Sequence, residues 1–251
     1  MLGVVLAAYS SVTQIRDVGL ATGATGPDQR AFFIAAADRP DIAVFFKGLK
    51  PQERLKMARQ LGEYDDPKIA VVIAKLLGDF DVEARKVLTA SLTRLARTQP
   101  AAVAEQLKEK GSFQQYGVSE ALRSQGESVL PAVVTTLANG DARPNAVAYL
   151  VAAGPPAIPL LVPKLDDANK DVVLAAADAL GKLRARAASP RLVALYRAAL
   201  PDDRTSYLTA LAGLGDPATE PIFQSIAQSD REPNPIRAQA ALGLGRIGST
   251  T

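Results

Sequence analysis

Apolar residues along this chain fall into one local pattern that returns again and again. In "DPKIAVVIAKLL", residues 66–77, they stand at the second, fifth, sixth and ninth positions after Pro67: Ile69, Val72, Ile73 and Leu76. That spacing lines one face of an α-helix and does not fit the alternation of a strand. A proline at the start suits the first helical turn, where its missing N–H costs little. The same four positions give Ile42, Phe45, Phe46 and Leu49 after Pro40, and Leu130, Val133, Val134 and Leu137 after Ser128. After Pro156 they give Ile158, Leu161, Val162 and Leu165. In the unit from Pro100 the polar Glu105 and Gln106 fall on the inward face, which predicts a register shifted onto Val103 and Leu107.

With Pro190 and Pro217 added, seven anchors follow one another at spacings of 27, 33, 28, 28, 34 and 27 residues. A period in this range marks a repeat array. Six residues before most anchors sits a large apolar residue: Ile34, Leu61, Leu122, Leu150 or Leu211. It closes a second apolar stretch, and a nearby glycine suits a helix C-terminus. Each unit therefore reads as helix, tight turn, helix. About thirty residues cannot bury a core alone, so the pairs must stack. The expected fold is all-α: a right-handed α-solenoid of about seven stacked helix-turn-helix repeats.

The stretches "DVVLAAADALGKL", "YLTALAGLGDPATEPI" and "IRAQAALGLGRIG" resemble HEAT repeats, and more narrowly the short bacterial HEAT-like repeats of the phycobilisome-lyase type. The resemblance covers about residues 31–248 and implies an armadillo-like helical fold. It permits several tasks, because such repeats serve many. One is a bilin lyase-like or chromophore-chaperone role. Another is a nucleic-acid-binding HEAT-like protein of the DNA-glycosylase kind. A third, an iron hydroxylase, needs His ligands that this chain lacks.

Composition narrows the chemistry. Of 251 residues, 48% are apolar and 22% charged, as in a globular chain. There is no Cys and no His, which excludes disulfides, thiolate nucleophiles, Cys/His zinc sites and Ser-His-Asp triads. No acidic cluster has calcium-loop spacing. Few aromatics and no Trp weigh against a tetrapyrrole pocket and against the glycosylase. The reading is of a non-enzymatic chain without a cofactor. Met1 to Tyr9 is an apolar run, about half of the roughly 20 residues that span a bilayer. Residues 1–30 are read as an N-terminal apolar helix and a Gly/Thr-rich loop, packed or near a membrane complex, and residues 31–251 as the array. Either a cytoplasmic or a membrane-associated location fits. The closing "PIRAQAALGLGRIGSTT" reads as a first helix without a second, so Leu242, Leu244 and Ile247 await cover from further chain or from a partner.

In proteins of this resemblance the second helices line the concave, partner-facing wall. On them Lys75, Lys108 and Lys164 share one position, and Lys47 and Arg197 the position before it. The bland interpretation is a solvated face. The functional one is a basic stripe that steers an acidic segment of another protein. A second cluster, Lys182, Arg184, Arg186, Arg191 and Arg197, has no acid between Asp178 and Asp202. Arginine pairs bidentately with carboxylate or phosphate. Nucleic acid is not favoured, because only Tyr196 interleaves these arginines and the net charge is only +3. Asp65–Asp66, Asp166–Asp167 and Asp202–Asp203 read as turn and cap residues. "GLGRIG" follows no predicted strand and is a weak nucleotide signal. The expected function is a protein–protein interaction scaffold or a structural subunit of a larger assembly, with acidic-surfaced proteins as partners.

Overall fold

The computed structural model describes residues 27–248, and among these every regular element is helical. The chain divides into two compact units, one up to Val129 and one from Leu130. The first holds α1 (Pro27–Ala36), α2 (Ile42–Gly48), α3 (Pro51–Leu61), α4 (Pro67–Leu76), α5 (Val82–Thr98), α6 (Pro100–Ala104) and α7 (Ser112–Arg123). The second holds α8 (Leu130–Thr135), α9 (Arg143–Ala153), α10 (Ile158–Leu161), α11 (Lys170–Lys182), α12 (Ser189–Ala198), α13 (Pro201–Leu214), α14 (Glu220–Ala227) and α15 (Asn234–Ile247). In each unit long first helices alternate with shorter second helices, the arrangement of an all-α solenoid. The apolar run Met1–Tyr9 lies outside the described residues, and no described helix is long and apolar enough to cross a membrane.

Local chemistry starts the helices where the pattern predicts. Pro67 occupies the first turn of α4, and the Asp66 carboxylate before it accepts from the Lys68 N–H at 2.9 Å. Asp81 accepts from the backbone of Glu83 and Ala84 ahead of α5, and Asn169 does the same for Asp171 ahead of α11. Each such cap supplies an acceptor for a helix-end donor that has no partner inside the helix.

The inward faces follow the sequence pattern with instructive exceptions. All four predicted positions are buried in the units from Pro40, Pro67 and Ser128. The shift onto Val103 and Leu107 is also present, yet Gln106 is buried beside them. Its amide nitrogen donates to the Ala102 carbonyl at 2.9 Å, while its Oε1 is buried without a hydrogen-bond partner among the described residues. In the unit from Pro156, Ile158 and Val162 are only half-buried, and the inward row is Ala157, Leu161 and Leu165. Pro159 and Pro163 remove backbone donors there, so one turn of α-helix tightens into 3₁₀ over Val162–Asp166 and the apolar face rotates. In α1 the large buried apolar residue is Phe33, against Tyr64, with Gln29 and Ala36 also buried, and Ile34 is half-exposed. On α15, Leu242 is exposed while Leu244 and Ile247 are half-buried.

Three phenols sit in this packing. Burial raises the pKa of Tyr64, Tyr196 and Tyr207 above the usual value, and the nearby Glu232 charge adds to the effect at Tyr196. The Tyr196 hydroxyl is fully buried without a hydrogen-bond partner among the described residues. The folded state thus disfavours phenolate, while the unfolded chain titrates near pH 10. The associated stability is intact below that pH and is lost as the pH rises above it. We expect the urea midpoint to fall between about pH 10 and 11.5. Tyr196→Phe should flatten that fall and leave the midpoint at pH 7 unchanged or slightly raised, since it removes only an unpaired buried hydroxyl. Urea melts of both proteins across pH 7–11.5 decide this.

Candidate functional site

A charged concavity lies in the second unit, where α11, α13 and α15 all end. It is a cleft of about 740 Å³ whose lining includes Lys182, Arg184, Arg186, Arg246 and Asp178. Its floor is made by a backbone contact. Gly181 on α11 faces Gly213 on α13, and a β-carbon on Gly181 would stand 2.8 Å from the Ala210 carbonyl oxygen. One on Gly213 would stand 2.9 Å from the backbone of Gly181. Only glycine at both positions lets the two helices meet this closely.

The end of α11 carries a strained residue. Its last carbonyls are closed by N–H groups of Arg184, which reaches Gly181 at 3.1 Å, and of Ala185, which reaches Leu180 at 3.0 Å. This is the Schellman arrangement, whose left-handed position is usually glycine. Here it is Arg184, with φ +54°, the one non-glycine residue with positive φ among those described. The left-handed conformation costs a side-chain-bearing residue about 1–2 kcal/mol. Strain of this kind is found where a functional side chain must be placed. Arg184 is exposed and lines the cleft.

Charge decides what the cleft can hold. Lys182 pairs with Asp178 at 2.8 Å, and Arg186 is close enough to Asp216 for their charges to interact. Arg184 and Arg246 have no carboxylate partner among the described residues. The C-termini of α11, α13 and α15 also lie along the cleft, each worth about half a negative charge. Four cations against two carboxylates and three half-charges leave it positive. The walls are mostly backbone, small side chains and guanidinium groups. An extended carboxylate- or phosphate-bearing chain suits such a surface.

The other predicted residues have varied settings. Lys47, Lys75 and Lys108 belong to the first unit, Lys164 and Arg197 to the second. Lys75 is half-buried, and its ammonium donates to the carbonyls of Ala37 at 2.7 Å and Arg39 at 3.2 Å. It therefore caps the C-terminal end of α1, where carbonyls lack partners. Lys164 pairs with Asp167 at 2.9 Å, and Arg191 with Asp166 at 2.6 Å. Lys108 is half-buried in the 3₁₀ turn after α6. Lys47 and Arg197 are exposed. Of the acidic pairs, Asp66 is a cap, whereas Asp202 and Asp203 stand inside the first turn of α13. Asp203 binds Lys170 at 2.6 Å. Sequence reasoning missed Arg246 altogether, because its cleft exists only once α15 folds back on α13. Among the described residues no group of three carboxylates is placed to hold a metal ion.

Two substitutions separate function from framework. Lys75→Met should lower stability by about 1–3 kcal/mol, since it strips a charged donor from buried carbonyls, and should leave the second unit's cleft unchanged. Arg184→Gly should raise stability by about 1 kcal/mol by relieving the left-handed strain. It should also weaken binding of polyglutamate. Urea unfolding read by circular dichroism, with titration of the folded protein by a labelled polyglutamate, checks both. An Arg184→Gly protein that is less stable than the parent would refute the strain assignment.

No known protein-family model matches this chain, and no curated protein matches it. Among solved structures, human deoxyhypusine hydroxylase in complex with glycerol is 16% identical, covering 98% of this chain and 99% of that one, with a TM-score of 0.39. YibA of Escherichia coli is 15% identical over 92% of this chain and 94% of its own, with a TM-score of 0.38. The complex of CpcE and CpcF of phycocyanin lyase from Nostoc sp. is 18% identical over 90% of this chain and 89% of that one, with a TM-score of 0.37. Likeness at this level assigns no activity to the chain.

Proposed function

We propose that this chain is a non-enzymatic interaction scaffold, a structural subunit of a larger assembly, that holds an acidic segment of a partner protein in the cleft of its second unit. The observation that supports this reading is Arg184. A guanidinium kept at the mouth of a positive cleft, on a backbone position where glycine would cost less, points to a task outside the fold. The arrangement of donors matches carboxylates spaced along an extended chain. Exposed ion pairs of this kind contribute about 0.2–1 kcal/mol each. Several acting together give a modest, salt-sensitive affinity and speed encounter more than they prolong it. Arg184, Arg186 and Arg246 carry the contact, and the exposed Arg197 extends the positive field on α12, while Lys182 and Arg191 are held by Asp178 and Asp166.

The test is a crosslinked pull-down with the full chain as bait, read by mass spectrometry. It runs beside a variant with Arg184, Arg186 and Arg246 changed to Glu. We expect a stoichiometric protein partner whose capture falls at least tenfold in the variant and weakens steeply with salt. Retention of that partner by the variant would remove the cleft from the interface. Copurifying visible absorbance from a bound bilin would favour the lyase-like reading instead. A salt-steep affinity for DNA in place of any protein partner would favour nucleic acid.

A further inference from the structure

The first unit carries a second feature, independent of the basic cleft. Its three exposed aromatic side chains, Phe80, Phe113 and Tyr116, are the exposed aromatics among all described residues, and they gather in one place. Phe80 is 77% exposed and Tyr116 68%, while Val82 beside them is 52% exposed. The rings of Phe80 and Phe113 meet edge to face at 6.2 Å between centroids. Phe113 and Tyr116 line a groove of about 760 Å³ between α5 and α7, with Leu77 and Gly117, and Phe80 adjoins it through the Phe113 ring. The close approach there depends on Gly117, whose β-carbon would collide with the Leu77 side chain at 2.7 Å. Single exposed apolar residues are ordinary, but a contiguous aromatic patch beside a groove marks a contact surface.

Charge states what would cover it. The Arg85 guanidinium lies 4.0 Å from the centre of the Phe113 ring, and the Lys47 ammonium 5.8 Å from that of Phe80. Arg85 donates one N–H to the Asp79 carbonyl at 2.9 Å, and has no carboxylate partner among the described residues; nor has Lys47. The acids around the groove are already engaged. Glu83 pairs with Lys86, Glu120 with Arg123, and the buried Asp79 with Arg54. Asp81 is occupied as the cap of α5. The patch thus offers an apolar aromatic bed flanked by two uncommitted cations. A guanidinium beside a ring, with one N–H given to a carbonyl, still has further N–H groups to offer a carboxylate.

We infer that the groove between α5 and α7, edged by Phe80, Phe113 and Tyr116, is a docking site for a short partner segment. In that segment an acidic residue adjoins a large apolar one. The apolar side chain lies against Phe80 and Tyr116, and the carboxylate meets Arg85, with Lys47 reinforcing the field. Buried aromatic and arginine contacts of this type carry most of the energy of small interfaces.

The chain's lack of Trp makes the test direct. The probe is the blocked peptide GEDWLEG, excited at a wavelength where only its own indole absorbs. With the full chain we expect a blue-shifted emission and a saturable rise in anisotropy. Phe80→Ser, Phe113→Ser and Arg85→Glu should each weaken binding at least tenfold, as should the uncharged peptide GQNWLQG. Phe80 and Phe113 are exposed, and unchanged circular dichroism and urea midpoints would show that their variants fold. Binding should survive Arg184→Glu with Arg186→Glu, which separates this site from the cleft of the second unit. Absence of saturation up to about 1 mM peptide would overturn the inference. So would binding that ignores Phe80→Ser, or binding lost only in the cleft variant. Capture of phosphatidylserine-containing vesicles through these aromatics, without peptide binding, would overturn it in favour of a membrane surface.

Discussion

None of these helices can stand alone. Most have between four and fourteen residues, at or below the length at which an isolated helix is marginal in water. Their stability comes from burying one apolar face against the neighbouring pair. Every further feature depends on how closely the neighbours approach. The strictest instance is the contact of Gly181 with Gly213, where backbone touches backbone with no room for a methyl group. That contact sets the spacing of α11 and α13, and so the width of the cleft in which their C-termini meet. Gly243 plays a similar part for α15, whose backbone lies against the Phe223 ring. A cleft formed at helix ends thus depends on residues without side chains in the helix bodies.

The sequence made the periodic part of this structure legible and the local chemistry much less so. The face of α4 could be read directly, because Ile69, Val72, Ile73 and Leu76 recur at helical spacing and no polar residue intrudes. The face of α10 could not, because Pro159 and Pro163 change the helix type and a 3.6-residue template then points at the wrong side. Gln106 looked like a break in the core, yet it is buried there with one hydrogen bond to Ala102 and its Oε1 unpaired among the described residues. Equivalent sequence positions also hid unequal roles. Lys75 and Lys164 share a register, but one caps a helix of the preceding repeat and the other pairs with its own turn. The partner of a long cation depends on what lies within about 6 Å of its tip, which a one-dimensional pattern does not contain. Phe80 had a signal that could have been read: an aromatic between two aspartates in a turn, where burial is not expected.

Charge on a helical array tends to cancel locally, and this tells which cations matter. Lys86 with Glu83, Arg123 with Glu120 and Lys182 with Asp178 are pairs three or four residues apart on one helix. Such pairs are worth a few tenths of a kcal/mol and neutralise a surface without orienting it. A cation escapes this fate in two ways here. Arg184 stands past the last turn of α11, and the residues three and four positions back, Gly181 and Leu180, carry no charge to pair with it. Arg85 is turned aside by the Phe113 ring and the Asp79 carbonyl, so its helix neighbours do not claim it. Both escapes cost something: left-handed strain in one case, an exposed aromatic in the other. A net charge of only +3 therefore understates what the two units present, because the uncommitted cations are few but placed beside concave surfaces. Cost borne at such positions, with no return visible inside either unit among the described residues, is the physical ground on which the proposed contacts rest.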